Sequence, residues 1–274
     1  MLPYTAYLID LDGVIYRSNE LLHGAKEFIS WLETYHKKYL FLTNNSFATG
    51  TQIRAKLERL GIATDNAHLL TAGQAAVQNI ARRMPQGVVY VVGEQPLIDL
   101  VESNGLKAVS IDAQGADAVL VGLDRDFDYT VMTHAMNAVR SGALFVTINR
   151  DPVLPIAGGF IPGCGALAAA IETASGVTPE IVGKPEPMLL QEAMHMLGSQ
   201  PDETVMIGDG LQVDILAGRN AGTHTILVFS GSSSREDLKK FPIKPDHVYE
   251  DLADLMKELT QEHSSMPLSF LYYL

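Results

Sequence analysis

The sequence predicts an α/β fold built on parallel sheets, and two observations support this prediction. Short apolar segments typical of buried strands alternate with segments whose apolar residues recur at helical spacing along most of the chain. Polar residues directly follow several of the apolar segments, as at Asp10, Thr43 and Asp209. No internal repeat or low-complexity segment interrupts the alternation. Such a pattern is typical of strand–helix–strand units, in which helices cover a mostly parallel sheet.

The elements are predicted in order from the same criteria. Segment 24–38, for example, carries bulky apolar residues at helical spacing and closes on His36, Lys37 and Lys38, cations that favour a helix C-terminus. Segment 150–162 is rich in Pro and Gly and is predicted to be a long loop. The predicted strands are 7–9, 39–43, 88–92, 118–121, 144–148, 204–207 and 223–228. The predicted helices are 24–38, 51–60, 72–83, 96–104, 129–140, 165–174, 188–197, 211–221 and 251–258.

The composition predicts a folded cytoplasmic protein. The 274 residues, 47% of them hydrophobic, suffice for one large or two modest domains with a sizeable core. The formal charge of −12 argues against a nucleic-acid or anionic-membrane partner, since either requires a basic surface. Cys164 is the only cysteine, so we expect no disulfide framework and no thiolate metal cluster. We find no signal-peptide pattern and no apolar stretch of about 18 residues that could span a membrane.

The first apolar strand ends in two carboxylates, Asp10 and Asp12, with one residue between them. Alternation along a strand would point both side chains to the same face, where the two charges repel each other. Such a pair requires either a proton on one carboxylate or a bound cation. Gly13, which follows the pair, gives the backbone the freedom to turn away from the strand direction. The stretch indicates a Mg²⁺ site with a nucleophile beside it, although a solvated turn explains the same residues when taken alone.

Two later segments supply groups suited to phosphate. Thr43 ends an apolar strand, and its hydroxyl with the backbone amides of Asn44 and Asn45 could hold phosphate oxygens. Taken alone, Thr43 is better explained as a cap of the next helix. Lys184 stands between Gly183 and Pro185, a rigid setting for a flexible point charge, although a surface lysine is an equal alternative. Each segment is weak evidence by itself.

A third segment combines another strand end with two acids. Asp209 follows the apolar residues 205–208, and Asp214 stands five residues on, inside a predicted helix. Asp209 is suited to complete a Mg²⁺ shell, while Asp214 would hydrogen-bond a metal-bound water or Lys184. A first-turn helix acid is the simpler interpretation of Asp214 alone. The order of these segments along the chain is more specific than any one of them.

These motifs resemble those of the haloacid dehalogenase (HAD) superfamily of aspartyl-phosphate phosphatases. Within it, the chain resembles the NagD-like or p-nitrophenyl phosphatase branch, with a capping domain of class IIA. The resemblance covers about residues 7–255 and implies a Rossmann-like parallel sheet core with an inserted α/β cap domain. The motifs that carry it are L-x-D-x-D-G-V-x-Y, F-L-T-N-N-S, P-G-C-G-A-L, V-G-K-P and I-G-D-x-L-x-x-D-I.

The resemblance implies a Mg²⁺-dependent hydrolase of small phosphate monoesters such as sugar phosphates or nucleotides. Asp10 resembles the nucleophile and Asp12 the general acid and base. The phosphate would be bound by Thr43, Asn44, Asn45 and Lys184, the last also steadying Asp10. Metal ligands would be Asp10, the backbone carbonyl of Asp12 and Asp209, with Asp214 near or in the second layer around the ion.

The same resemblance divides the chain into domains. Residues 1–85 and 179–262 would form the catalytic core, 86–178 the cap, and 263–274 a tail to which we assign no role. The 140 residues between Thr43 and Lys184 fit a cap, because a simple sheet crossover needs far fewer. The cap would select a small phosphorylated metabolite, with Asn149, Arg150 and Asp151 as candidate substrate-facing residues. Members of the branch often dimerise through their caps, so the resemblance also allows a homodimer and leaves the oligomeric state open.

Two positions depart from the branch. Gly210 stands where the branch commonly has Asn, which removes a side-chain contact to metal-bound water or substrate. Ile148-Asn149 replaces a frequent Thr-Asn in the cap. Neither change affects the nucleophile, the acid, the lysine or the metal ligands.

Other interpretations explain parts of the sequence. Residues 163–168 satisfy the dinucleotide-binding pattern G-x-G-x-x-A, but Pro162 precedes them and a dehydrogenase leaves Asp10, Asp12 and Asp209 unexplained. A non-enzymatic receiver-type module uses Asp, Thr, Lys and Mg²⁺, but it is far shorter and has adjacent acids. A phosphomutase shares the phospho-aspartate step and is the strongest rival, although the branch favours hydrolysis.

Overall fold

Strands and helices alternate throughout the computed structural model, which describes residues 4–45, 49–64, 68–156 and 158–264. The strands are β1 Ala6–Asp10, β2 Tyr16–Arg17, β3 Glu20–Leu21, β4 Lys38–Thr43, β5 Leu69–Thr71, β6 Val88–Val92, β7 Lys107–Val109, β8 Ala118–Val121, β9 Leu144–Thr147, β10 Val153–Ile156, β11 Gly159–Pro162, β12 Glu180–Ile181, β13 Thr204–Gly208, β14 His224–Val228 and β15 His247–Tyr249. The helices are α1 Ala25–Thr34, α2 Gly50–Arg59, α3 Ala72–Arg83, α4 Gln95–Ser103, α5 Tyr129–Arg140, α6 Cys164–Ser175, α7 Met188–Leu197, α8 Leu216–Ala221, α9 Arg235–Lys240 and α10 Leu252–Ser264.

The contacts divide the chain into two compact units. The first comprises 1–41, 54–69 and 194–274, and the second comprises 42–53 and 70–193. The predicted cap, 86–178, lies entirely within the second unit, and its role as a cap stays a prediction. From residue 265 onward, the predicted tail lies outside the described residues.

A six-stranded sheet of order β15-β14-β13-β1-β4-β5 forms the frame of the first unit. The chain passes into the second unit near the ends of β4 and β5. Every residue of β1 and β13 is buried, which explains their continuous apolar sequences, because a central parallel strand is covered on both faces. The two strands pair in parallel, with Ile9 opposite Ile207. This register brings the segments that follow their carboxyl ends side by side.

The second unit contains a five-stranded parallel sheet of order β12-β9-β8-β6-β7. Its core is formed by strand residues such as Tyr90, Val119 and Phe145, packed against apolar residues of α5 and α6. The predicted α/β class with parallel sheets is therefore confirmed.

No helix among the described residues is both long enough and apolar enough to cross a membrane.

One local prediction was wrong, and another is confirmed in its bounds but not in its helix type. Segment 150–162 contains the antiparallel hairpin β10–β11, in which Val153 pairs with Pro162 and Ile156 with Gly159. The Pro and Gly content of this segment favoured a loop, so the two strands were not predicted. The predicted helix 211–221 opens as a wider π-helical turn over Leu211–Ile215 and becomes α8 only afterwards. The carbonyl of Gly210 starts this turn by accepting the N–H groups of Asp214 and Ile215 at 2.8 and 3.1 Å.

Candidate active site

The nucleophile candidate Asp10 is the last residue of β1 and is only 9% exposed. Asp12 lies beyond the strand and is exposed, so strand alternation does not apply to it. Strand alternation therefore gives no reason for the two carboxylates to share a face, and their crowding stays a prediction. Gly13 turns the chain with φ 82°, in the left-handed region that only glycine adopts without strain.

Three carboxylates form a buried cluster in the first unit. Asp10, Asp209 and Asp214 each offer an oxygen, and these oxygens lie within 4.8 Å of one another. Asp209 is 8% exposed and Asp214 2%. The pairing of β1 with β13 explains the approach of Asp10 and Asp209, since each follows the apolar part of its strand. Asp214 was expected in an outer position, but its carboxylate belongs to the same cluster.

This cluster fits a divalent metal ion. Oxygen ligands around one octahedral Mg²⁺ at about 2.0–2.1 Å lie about 2.9–4.2 Å apart, so small movements would bring three oxygens to one ion. Three buried carboxylates also repel one another unless a cation or protons reduce their charge. In the part of the chain that the structure describes, this is the one cluster of acidic, histidine or cysteine side chains with metal-binding spacing.

A loop after β14 holds Asp209 in place. The N–H of Ser232 donates to a carboxylate oxygen of Asp209, and the N–H of Ser233 donates to its main-chain carbonyl at 3.2 Å. Gly231 packs so closely that a Cβ there would overlap the Asp209 carboxylate, and a Cβ on Gly13 would lie 2.6 Å from its Oδ2. The sequence analysis missed this loop, although the run Gly231-Ser232-Ser233-Ser234 after a strand is visible in the sequence.

Asp214 is fixed by the turn that carries it. Its Oδ2 accepts the N–H of Gly210 at 2.9 Å. A Cβ on Gly208 would overlap the Asp214 side chain, so the strand end and the π-helical turn are in direct contact. Gly210 itself adopts φ −102°, which any residue allows, so backbone strain does not explain its departure from Asn.

The predicted phosphate-binding residues are brought together in the second unit. The side chain of Asn44 clamps the main chain of Lys184: its Nδ2 donates to the Lys184 carbonyl at 2.7 Å, and its Oδ1 accepts the Lys184 N–H at 2.8 Å. Thr43 is buried, and its Oγ1 accepts the N–H of Asn45 at 3.1 Å. Lys184 is also buried. Segments 140 residues apart thus meet through one asparagine side chain.

The surroundings of Gly183 explain why the Gly-Lys-Pro motif begins with glycine. A Cβ at this position would lie 2.9 Å from both Asn44 Oδ1 and the carbonyl of Ile148. Any larger residue would therefore push the Asn44 clamp away from Lys184.

Asn149 supports this arrangement and does not face a substrate. It is 1% exposed, and its Nδ2 donates to the Asn44 carbonyl at 2.9 Å. Its Oδ1 accepts the N–H of Asp151 at 3.0 Å and the thiol of Cys164 at 2.8 Å. The expectation of a substrate-facing Asn149 is therefore wrong, because both ends of its amide are used inside the protein.

An open pocket of about 520 Å³ lies beside the carboxylate cluster of the first unit. Asp12 and Arg17 contribute charged side chains to its lining. Arg17 also donates to the carbonyl of Ser230 at 2.5 Å, and Ser230 Oγ donates to the Gly13 carbonyl at 2.7 Å. These bonds connect the loop that bears Asp12 to the loop that holds Asp209.

Comparisons with known proteins show the family of the chain. The family model described as haloacid dehalogenase-like hydrolase matches residues 7–107, and one described as HAD-hydrolase-like matches 181–255. The 5'-nucleotidase YutF of Bacillus subtilis is 37% identical over 93% of this chain and 98% of its own. The acid sugar phosphatase of Staphylococcus saprophyticus is 36% identical over 94% and 99%. The structure of NagD from Escherichia coli K-12 superposes with a TM-score of 0.84 at 34% identity, covering 92% of this chain and 98% of that one.

Fold, carboxylate cluster and relatives together define a phosphoric monoester hydrolase. The chain belongs to the haloacid dehalogenase-like hydrolases, and its NagD-like character, inferred above from motifs, is confirmed.

Proposed function

We propose that the chain is a Mg²⁺-dependent phosphatase that hydrolyses small organic phosphate monoesters through a phospho-aspartate intermediate. The observation that carries the proposal is the buried cluster of Asp10, Asp209 and Asp214, at a strand end where such enzymes need both a nucleophile and a cation. Asp10 and Asp209 with the main-chain carbonyl of Asp12 would hold the ion, and Asp214 is close enough to contribute. When bound, Mg²⁺ would neutralise charge on the phosphoryl oxygens.

Two aspartates carry the proposed chemistry. Asp10 attacks phosphorus, and the alcohol oxygen of the substrate leaves with a proton donated by Asp12. Asp12 then takes a proton from the water that attacks phospho-Asp10, which releases inorganic phosphate and restores both carboxyl groups. The exposure of Asp12 suits a group that meets substrate and water, whereas the burial of Asp10 suits a nucleophile held in one orientation.

Phosphate binding is assigned to Thr43, Asn44, Asn45 and Lys184. The ammonium of Lys184 would supply positive charge that a protein with a formal charge of −12 otherwise lacks for an anionic substrate. The contacts of Asn44 give its side chain the additional task of fixing the Lys184 backbone.

The substrate is proposed to be a sugar phosphate, a nucleotide or a similar metabolite, with p-nitrophenyl phosphate as an artificial substrate. The relatives named for 5'-nucleotidase and acid sugar phosphatase activity support this range. Residues 86–178 are proposed to cap the site and to select among these esters, and a homodimer through this cap fits the proposal. A cytoplasmic enzyme without nucleic-acid or membrane partners is consistent with the acidic composition.

The proposal is tested by phosphate release from a panel of sugar phosphates, nucleoside monophosphates and p-nitrophenyl phosphate, with and without Mg²⁺. Wild-type protein should release phosphate only with the metal, and Asp10→Asn should release none, because an amide is too poor a nucleophile. Mg²⁺-independent hydrolysis would contradict the metal assignment. Transfer of the phosphoryl group to a second sugar instead of water would identify a phosphomutase.

A further inference from the structure

The segment that follows β1 folds back under Asp12. The carbonyl of Leu11 accepts the N–H groups of Ile15 and Tyr16 at 2.9 and 3.2 Å. The N–H of Gly13 donates to the Tyr16 carbonyl at 2.8 Å, and Asp12 and Tyr16 pair through their backbones. This closed turn brings the Tyr16 ring into the core of the first unit beside the Asp12 side chain.

The Tyr16 hydroxyl donates a hydrogen bond to the Asp12 carboxylate. Tyr16 is 3% exposed, so this bond joins a buried phenol to an exposed acid. Burial, followed by the charges of Asp12 and Asp10, raises the pKa of the phenol above its ordinary value.

The side chain of Lys56 lies over the ring of Tyr16. Its Nζ lies 3.4 Å from the centroid of the Tyr16 ring, within the range of a cation–π contact. The ammonium is half-buried: burial lowers its pKa, while the charge of Asp12 raises it. Lys56 is thus close enough to Asp12 to interact with its charge, and it restrains the ring that holds Asp12.

We propose that Tyr16, with Lys56 against its ring, is a positioning residue that orients the Asp12 carboxylate for proton transfer to the leaving group. This inference rests on the proposed acid–base role of Asp12. An exposed carboxylate outside regular structure samples several rotamers, and only some of them direct an oxygen to the scissile bond. A carboxylate can accept the phenol on one oxygen and exchange a proton through the other. The hydrogen bond therefore fixes the orientation of the Asp12 carboxylate and leaves its other oxygen available for proton transfer.

Tyr16→Phe tests the proposal because it removes the hydroxyl and keeps the ring on which Lys56 rests. The matched control is Tyr249→Phe, since the Tyr249 hydroxyl donates to the Glu258 carboxylate at 2.8 Å elsewhere in the first unit. Single-turnover cleavage is compared for phenyl phosphate, whose leaving group needs a proton, and p-nitrophenyl phosphate, whose leaving group departs without one. Tyr16→Phe should slow phenyl phosphate by about 10- to 100-fold and leave p-nitrophenyl phosphate nearly unchanged. Tyr249→Phe should change neither rate.

Asp12→Asn in the same assays separates this inference from the proposed function. Asp12→Asn should show the same dependence on the leaving group, more strongly, and adding Tyr16→Phe to it should cause no further loss with phenyl phosphate. Equal losses with both esters in Tyr16→Phe, or full additivity in the double variant, would overturn the positioning role. If Asp12→Asn itself shows no dependence on the leaving group, the proposed role of Asp12 fails and the inference fails with it.

Lys56 variants provide a second test of the proposal that leaves Tyr16 unchanged. Lys56→Met keeps much of the side-chain length and removes the charge, so it should reproduce part of the phenyl phosphate defect. Lys56→Arg should restore wild-type rates, because guanidinium also stacks on aromatic rings. A Lys56→Met enzyme with no leaving-group dependence would exclude Lys56 from the proposal. Circular dichroism melting of every variant shows whether it is folded.

Discussion

Ser232 holds Asp209 through its main-chain N–H, which donates directly to the carboxylate. The adjoining N–H of Ser233 donates to the Asp209 carbonyl at 3.2 Å, so one loop fixes both the side chain and the backbone of a proposed metal ligand. Since these donors belong to the backbone, substitution of either serine side chain leaves them in place. The loop is better tested through Gly231, whose missing Cβ makes room for the carboxylate.

Gly231→Ala should weaken Mg²⁺ binding, because the added methyl group would overlap the Asp209 carboxylate and displace it. We expect the Mg²⁺ concentration for half-maximal activity to rise by about 10- to 100-fold, a range typical for loss of a ligand-orienting contact. The control is Gly73→Ala, where the nearest atom lies 3.7 Å from the added Cβ. An unchanged Mg²⁺ titration in folded Gly231→Ala would contradict the proposed role of this loop.

Ca²⁺ should inhibit the enzyme in the presence of Mg²⁺. The three clustered carboxylates would accept either ion, but Ca²⁺ takes more ligands at longer distances and would occupy oxygens of Asp10 that the attack on phosphorus requires. Initial rates measured at fixed Mg²⁺ and increasing Ca²⁺ check this, with added NaCl matching the ionic strength. Full activity with Ca²⁺ alone would argue against Asp10 as both ligand and nucleophile.

Asp12→Asn should accumulate phospho-Asp10 when p-nitrophenyl phosphate is the substrate. The first step needs no proton for this leaving group, while the second loses its base, a contribution of about 10²–10⁴-fold. Rapid-quench kinetics should show a burst of nitrophenolate, and intact-mass analysis should show one added phosphoryl group. Peptide mapping that places the label on a residue other than Asp10 would identify a different nucleophile.

Asn44→Ala should make the position of Lys184 less fixed and should also reduce the stability of the protein. The substitution removes two hydrogen bonds, of 2.7 and 2.8 Å, to the main chain of Lys184. The partly buried N–H and carbonyl of Lys184 then lose the Asn44 side chain as their partner. We expect the free energy of unfolding to fall by about 1–3 kcal/mol and KM for phosphate esters to rise. The control is Asn79→Ala, whose Oδ1 accepts a long, exposed hydrogen bond from Arg83 at 3.4 Å. A normal KM in Asn44→Ala would restrict Asn44 to a structural role.

The sequence was sufficient for the features that depend on side-chain type. Apolar runs located β1, β4 and β13, and the acids after β1 and β13 do meet in one cluster. The loop that supports Asp209 could not be predicted in the same way, because its contacts come from main-chain N–H groups that every residue except proline possesses. Asn149 was misassigned for a related reason: sequence indicates that an amide is polar, but not whether its partners are substrate atoms or buried backbone groups.

The hairpin and the Asp12 turn show a second limit. Proline and glycine in 150–162 suggested a loop, whereas the pairing of β10 with β11 depends on register that composition does not encode. β1 ends at Asp10, so the side-chain alternation on which the expected pair of carboxylates depended does not extend to Asp12.

The parallel pairing of β1 with β13 has a consequence for the order of events during synthesis. Ile9 and Ile207 are partners, so the first strand waits for nearly two hundred further residues to leave the ribosome before its neighbour exists. The five-stranded sheet between β6 and β12 needs no residue beyond 181 and can form while β13 is still being made. Until then, one edge of β1 is an unpaired apolar strand, and the cluster of Asp10, Asp209 and Asp214, the proposed metal site, is completed only late in translation.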